Sequence, residues 1–401
     1  MKILLITQVF YPDTVSVSQH LWDLAVELNK SGHEVTVYTS KYAYEEKSKY
    51  PDYEIIDGVS IYRINQSKFG KSNSFFRIVD FFTFSVNITI KLLFIKKKKF
   101  DLIIGTTVPP MLSFIGILIS KLNSIPFYYW IMDLQPELSI ASGLIKKNSL
   151  AANFFTFIGN YSIKNSEKII SLDRFMTDYL IIKGAKKSNV VTIPVWPVLD
   201  RVYNGNRLEN PFRIENNFKD KIVIMYSGNH AFVHPLDTLL MAAKELKMDN
   251  RFLFVFVGGG VRKKDVARFK SDNKLENIIQ LPFQPRENIY NSLGSSDIQV
   301  VIMGENQVGF THPNKIYGAM FIGKPILYIG PKESHVTDII SKIKGNILVE
   351  HNEHDCIVKR LFEFAEHSKE TIENIGQENK KIIELKFSPE YLKMQMVNVI
   401  T

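Results

Sequence analysis

Residues 2–6 (KILLI) form an unbroken apolar run, the pattern of a parallel strand buried on both faces. A long polar turn, QVFYPDTVSVS, follows. Leu21, Leu24, Ala25 and Leu28 then recur at helical spacing until Gly32 supplies a stop. Residues 34–39 (EVTVYT) read as the next strand, which completes a right-handed βαβ unit. Further strands are expected near 60–64, 101–105, 126–131, 168–171 and 190–193. Pro194, Pro197 and Pro211 then fall among Asn, Gly and charged residues, so 194–221 reads as a linker. The alternation restarts with IVIMY at 222–226 and a helix through Leu236, Leu239, Leu240 and Ala243. Strands follow at 252–257, 277–282, 298–303 and 326–330. The pattern predicts an α/β protein of two doubly wound Rossmann-like domains, with ligands at the carboxyl ends of the strands and a cleft between the halves.

The size and composition agree with this. The chain has 401 residues, 45% hydrophobic and 23% charged, which excludes a disordered, collagenous or disulfide-stapled protein. Cys356 is the single cysteine and has no internal partner for a disulfide. Met1 leads straight into the first strand without a leader pattern, which reads as a cytoplasmic protein. The net charge of +9 invites an anionic partner: nucleic acid, a membrane face or a phosphorylated substrate. Residues 68–99 hold eight basic side chains, including Lys96, Lys97, Lys98 and Lys99, against one acid, Asp80. The same stretch carries Phe75, Phe76, Phe81, Phe82, Phe84 and Phe94. Its uncharged segment, FFTFSVNITI, is too short to span a bilayer, which takes about 20 residues. It reads either as a helix lying on an anionic membrane surface or as a buried helix with a solvated lysine turn.

Three segments offer chemistry. The first βα turn lacks G-x-G-x-x-G but presents Ser16, Ser18 and Gln19 ahead of the expected helix, donors that suit an anion or a sugar. In the second half, Gly228, Asn229 and His230 follow one strand. Gly258, Gly259 and Gly260 follow the next, with Arg262 just beyond. Glycines at strand ends let a backbone approach a phosphate. The third segment, IMGENQVGFTHPNKIYGAMFIGKPILYIG, places Pro313 at a helix start, with Asn314 and Lys315 at the positive end of its dipole. That is the composition of a pyrophosphate site. His230 and His234 are four apart, but Pro235 starts the helix after them and no third ligand accompanies them, so no metal is expected.

These motifs resemble those of retaining glycosyltransferases of family 4, enzymes with the two-domain GT-B fold. HPNKIYG…GKPI is close to their P-S-K-x-Y…G-x-P segment, and YSGNHAFVHPLDTLLMAA to their Y-S-G-N…L-D-x-L-L-x-A-A. FVFVGGGVRKK, LPFQPRENIYNSLGSSDIQVV and YYWIMDLQPE have counterparts in the same order. The resemblance implies an N-terminal acceptor domain at 1–197, a nucleotide-sugar domain at 198–385, and a C-terminal helix at 386–401 crossing back to the first. It implies transfer from a nucleotide sugar, UDP by default, to a lipid-pyrophosphate-linked or saccharide acceptor in bacterial surface polysaccharide synthesis, at the inner membrane face. The nucleotide sugar is a substrate, and no cofactor is expected. Donor contacts are expected from Gly228, Asn229, His230, Gly258, Gly259, Arg262, Pro285, Glu305, Val308, Gly309, His312, Pro313, Asn314 and Lys315. The paired glutamates of many members would fall at Phe310 and Gly318 here, so neither is acidic. Asp133 is the candidate to orient or deprotonate the acceptor hydroxyl, with Glu137 a second candidate. A nucleotide-sugar 2-epimerase and a non-catalytic sugar-nucleotide binder are the alternatives. Nucleic-acid binding is disfavoured, because the lysines accompany phenylalanines rather than a known module.

Overall fold

The computed structural model describes residues 1–43, 49–69, 74–95, 99–199, 201–203 and 205–401, without the side chains of 74, 75, 77 and 78. Two compact units emerge. The first holds Met1–Trp196, Gly309–His312 and Glu390–Thr401, and the second Pro197–Val308 and Pro313–Pro389.

The first unit is built on eight strands: β1 (Lys2–Ile6), β2 (Glu34–Ser40), β3 (Tyr53–Ile56), β4 (Val59–Ile64), β5 (Leu102–Thr106), β6 (Phe127–Trp130), β7 (Lys168–Ser171) and β8 (Val190–Thr192). Their order is β3-β4-β2-β1-β5-β6-β7-β8. All neighbours are parallel except β3, which returns antiparallel on β4 as an edge strand. The second sheet has six parallel strands: β9 (Ile222–Ser227), β10 (Phe252–Val257), β11 (Ile278–Leu281), β12 (Ile298–Ile302), β13 (Ile326–Ile329) and β14 (Ile347–Val349), in the order β11-β10-β9-β12-β13-β14. β3 and β14 are short additions beyond the expected strands. Both lie at sheet edges, where length and apolar content fall.

The unbroken apolar runs have a direct cause in the second sheet. Ile224, Tyr226, Phe252, Phe254 and Phe256 face one layer of helices. Val223, Met225, Leu253, Val255 and Val257 face the other, against Phe212 and Phe218. Alternate residues of one strand thus fill two cores, and apolar residues dominate both faces. Fully burying each such side chain contributes roughly 1.5–3 kcal/mol.

The second half of the expected linker is therefore structured. Asn210 caps helix Pro211–Glu215 through the Phe212 and Arg213 amides, and Phe212 and Phe218 complete the core beneath β9. Arg213 is buried, and its guanidinium meets Asp297 at 3.1 Å. Asp297 also accepts from the Val223 amide at 2.8 Å, so one carboxylate fixes this segment to both β9 and β12. Composition alone concealed this, because the prolines and asparagines that suggest a loop here serve as helix starts and caps.

Helix Ser74–Leu93 shows two apolar faces. Phe84, Ile88 and Leu92 are fully buried at i, i+4, i+8, as the buried-helix reading expects. Phe82, Val86, Ile90, Leu93 and Phe94 are exposed on the other side and form an apolar stripe. Lys96, Lys97 and Lys98 lie outside the described residues. No helix among the described residues is long and apolar enough to cross a membrane.

Candidate active site

In the second unit, the turns after β9 and β10 are packed into one another. Gly228 has φ +128° and its amide donates to Val257 O at 2.9 Å. A β-carbon on Gly258 would stand 2.1 Å from Gly228 O, and one on Gly260 would stand 2.2 Å from Asn229 Oδ1. Glycine is therefore demanded by contact between two backbones as well as by positive φ. The His230 amide donates to Gly259 O at 2.6 Å, and the Arg262 amide donates to His230 O at 2.9 Å, which locks the two loops together. Phe283, after β11, closes against Gly259.

Lys315 opens helix Lys315–Phe321 and lays its chain against Gly228, in the turn after β9. Its ammonium lies 5.1 Å over the Tyr226 ring. Among the described residues it has no carboxylate and no hydrogen-bond partner. The side chain is half-buried, and desolvation pushes its pKa down to about 8. His234 and His230 lie close by. Burial lowers both, and the charge of Lys315 lowers them further. His234 Nδ1 reaches Ile302 O at 3.0 Å, and His230 Nδ1 reaches Gly259 O, also at 3.0 Å. Each carbonyl accepts a hydrogen bond from Nδ1–H, so Nε2 is the unprotonated nitrogen of the neutral ring. His230 Nε2 is buried without a partner. The result is one uncompensated cation beside glycine turns and neutral imidazoles, a setting suited to an anion.

The other expected donor residues are less concentrated. Asn229 uses its carbonyl to accept from Tyr226 OH at 2.8 Å. Arg262 is committed elsewhere: its guanidinium pairs with Asp237 at 3.1 Å and Asp265 at 3.2 Å, which reduces the charge it has to offer. Pro285 starts a 3-10 turn, Arg286–Asn288. Glu305 is exposed in another turn, Val308 is half-buried, Pro313 is buried, and Asn314 precedes Lys315 at the helix start.

Gly309 and His312 belong to the first unit instead. There the Leu134 amide donates to Phe310 O at 2.7 Å and Phe310 packs edge-on against Tyr179. Thr311 Oγ1 donates to Asp133 Oδ1 at 2.6 Å, and His312 Nδ1 meets Asp173 Oδ2 at 2.8 Å. Asp173 also caps helix Arg174–Ile182 through the Met176 amide. Asp133 follows β6 and is half-buried. Burial raises its pKa, opposed by the Thr311 hydroxyl and the nearby His312. Thr311 and Asp173 were not among the expected residues. Thr311 stood between two that were, and the S-L-D-R sequence at a strand end carried the usual signal of a cap.

Glu137 is spoken for. It accepts from Tyr179 OH at 2.9 Å and pairs with Lys183 at 3.1 Å. The first turn also needs correction. Ser16, Ser18 and Gln19 are inside helix Ser16–Lys30 and not ahead of it, because the helix begins five residues before Leu21. Ser18 is fully buried, Gln19 Nε2 donates to Thr14 O at 2.6 Å, and Ser16 O faces His20 Nδ1 at 2.7 Å.

Two doubly wound sheets, each with polar side chains gathered at its carboxyl rim, are the architecture of GT-B glycosyltransferases. Residues 17–196 match the glycosyl transferase 4-like domain, and residues 209–382 match the glycosyl transferases group 1 domain. The chain belongs to this glycosyltransferase family. It is 22% identical over 266 residues to the probable glycosyltransferase WbjE of Pseudomonas aeruginosa, a match spanning 66% of this chain and 65% of WbjE, just under two thirds of that protein. It is 23% identical over 343 residues to the putative colanic acid biosynthesis glycosyl transferase WcaI of Escherichia coli K12, spanning 80% of this chain and 82% of that one. Among solved structures, sucrose-phosphate synthase from Thermosynechococcus elongatus superposes with a TM-score of 0.77 at 13% identity, covering 100% of this chain and 98% of its own. Anabaena HepE, solved with UDP and glucose, gives 0.72 at 13% identity, with 100% and 99% covered. These likenesses show the GT-B fold.

Proposed function

We propose that this glycosyltransferase moves a sugar, with retention, from a nucleotide-sugar donor to a lipid-linked or saccharide acceptor in bacterial surface polysaccharide synthesis. The observation that carries the reading is Lys315: a half-buried cation with no carboxylate partner among the described residues, held against Gly228 in one of two interlocked glycine turns. Breaking a sugar–diphosphate bond builds negative charge on the leaving diphosphate. A fixed cation and preorganised dipoles at that point stabilise it without reorganisation. The likeness to HepE, solved with UDP-glucose, favours a UDP-sugar. The names of WbjE and WcaI favour a place in polysaccharide assembly.

In this reading Asp133 handles the acceptor hydroxyl. Its raised pKa brings its basicity nearer to neutrality, and Thr311 fixes one oxygen so that the other faces its proton. Glu137 keeps helix Glu137–Ala141 against Lys183 and has a supporting role. The exposed Phe82, Val86 and Leu93 rest the first unit on an anionic membrane surface, near its lipid-linked acceptor. The test is a thermal-shift screen of UDP-, GDP- and dTDP-sugars. A ligand at 100 times its Kd stabilises by about 2.7 kcal/mol. A response to none of them would reject the proposal. Donor turnover without any acceptor would favour the epimerase.

A further inference from the structure

A groove of ≈ 470 Å³ lies in the first unit between β4 and helix Ser74–Leu93, apart from Asp133 and from the glycine turns. Tyr53, Tyr62, Asn65, Asn87, Lys91 and Phe94 line it. Tyr53 is 47% exposed and lies against Tyr62, ring centroids 4.6 Å apart, and Tyr62 meets Tyr38 edge-on. The aromatic wall is thus held from behind and offers one open face. Asn87 is fixed by donating to the Asn65 carbonyl at 2.8 Å.

The charges of the groove do not cancel. Asp52 is tied to Lys41, and Glu54 to Arg63. Lys91 stands 5.9 Å over the Tyr62 ring and has no carboxylate partner among the described residues. A rigid tyrosine face, amides at its edge and one uncompensated ammonium fit a pyranose ring that carries a negative charge. The ring's axial C–H face stacks on Tyr53, its hydroxyls meet the amides, and its carboxylate meets Lys91.

Position gives such a ligand a source. β4 and β6 run parallel in the same sheet, four strand spacings apart in the order β4-β2-β1-β5-β6. At the usual spacing that is about 19 Å. Asn65 follows β4 and Asp133 follows β6, so the Asn65 end of the groove lies at the carboxyl rim that also carries the candidate acceptor carboxylate, while Lys91 and Phe94 lie further along, at the end of the helix. We propose that this groove is a second saccharide site, binding an acidic sugar residue of the acceptor some distance from the residue that receives the transferred sugar. The inference rests on the acceptor reading above. Its occupant is a uronate-type saccharide, not a lipid.

The test is calorimetric titration of the full-length protein, without donor, using tetragalacturonate, its fully methyl-esterified uncharged counterpart, and farnesyl phosphate. Tetragalacturonate is expected to bind more tightly than the ester, and more weakly at high salt. Lys91→Gln is expected to weaken it about tenfold, as loss of a charge-assisted contact does. Tyr53→Ala is expected to abolish binding and Tyr53→Phe to preserve it. Lys91 is an exposed position, so its variant remains informative if Tyr53→Ala fails to fold. Equal binding of acid and ester, indifference to Lys91→Gln, or binding of farnesyl phosphate alone would overturn the proposal. Nucleotide-sugar binding is measured separately, so a failed donor screen rejects the transferase reading without touching this result.

Discussion

Lys315 lies directly against Gly228: a β-carbon at Gly228 would come within 2.6 Å of Lys315 Cε and 3.2 Å of its Nζ. The turn after β9 and the start of helix Lys315–Phe321 are 87 residues apart in the chain, yet each fixes the shape of the other. Gly228→Ala is therefore expected to displace the ammonium and to strain a backbone at φ +128°, a conformation that costs about 1–3 kcal/mol for other residues. Donor affinity should fall about tenfold or more, with a modestly lower melting temperature. Calorimetry with an unchanged donor affinity would contradict the contact's role.

Protonation of Lys315 sets a pH limit. Its pKa of about 8 lies below the ordinary lysine value near 10.4. Between those values the unfolded chain binds more protons than the native one. The empty protein is therefore expected to gain stability as pH rises from about 8 to 10. Donor affinity should fall over the same interval, because the neutral amine no longer attracts diphosphate. Lys315→Met should raise the melting temperature at pH 7 and remove the pH dependence. Donor affinity that is flat from pH 7 to 10 would contradict this.

Asp133→Asn keeps the hydrogen bond from Thr311 while removing the base. Turnover at saturating acceptor is expected to fall by about two to four orders of magnitude, with donor affinity unchanged. In the wild type the rate should rise with pH through a pKa above the usual carboxylate range. A parallel fall in melting temperature, donor affinity and rate would mark Asp133 as structural.

The outer face of helix Ser74–Leu93 can be separated from catalysis. Replacing Phe82, Val86 and Leu93 by Ser leaves the buried Phe84, Ile88 and Leu92 in place. The variant is expected to lose binding to anionic liposomes while keeping its activity on a short soluble acceptor. Co-sedimentation equal to the wild type would remove the stripe from membrane docking.

The strands were legible because parallel strands buried on both faces are mostly apolar, and a short run such as FLFVFV, rich in β-branched and aromatic residues, suits little else. The helix start at Lys315 was legible from Pro313 just before it. What stayed hidden depends on contacts far apart in the chain. Nothing around Asp133 announces that Thr311, 178 residues away, donates to it. Nothing around Glu137 announces Lys183. The start of the first helix was misplaced for a local reason: Ser16, Ser18 and Gln19 look like turn residues, and a buried serine inside a helix has no signature of its own.

One titration tests the role of Lys315 most directly. The nucleotide sugar that gives the largest thermal shift is titrated calorimetrically into wild type and Lys315→Ala at pH 7. Loss of a charge-assisted contact of about 1.5–3 kcal/mol predicts a Kd weakened roughly 10- to 100-fold, with the variant still folded. Equal affinity in the two proteins would place the diphosphate elsewhere and contradict the central claim.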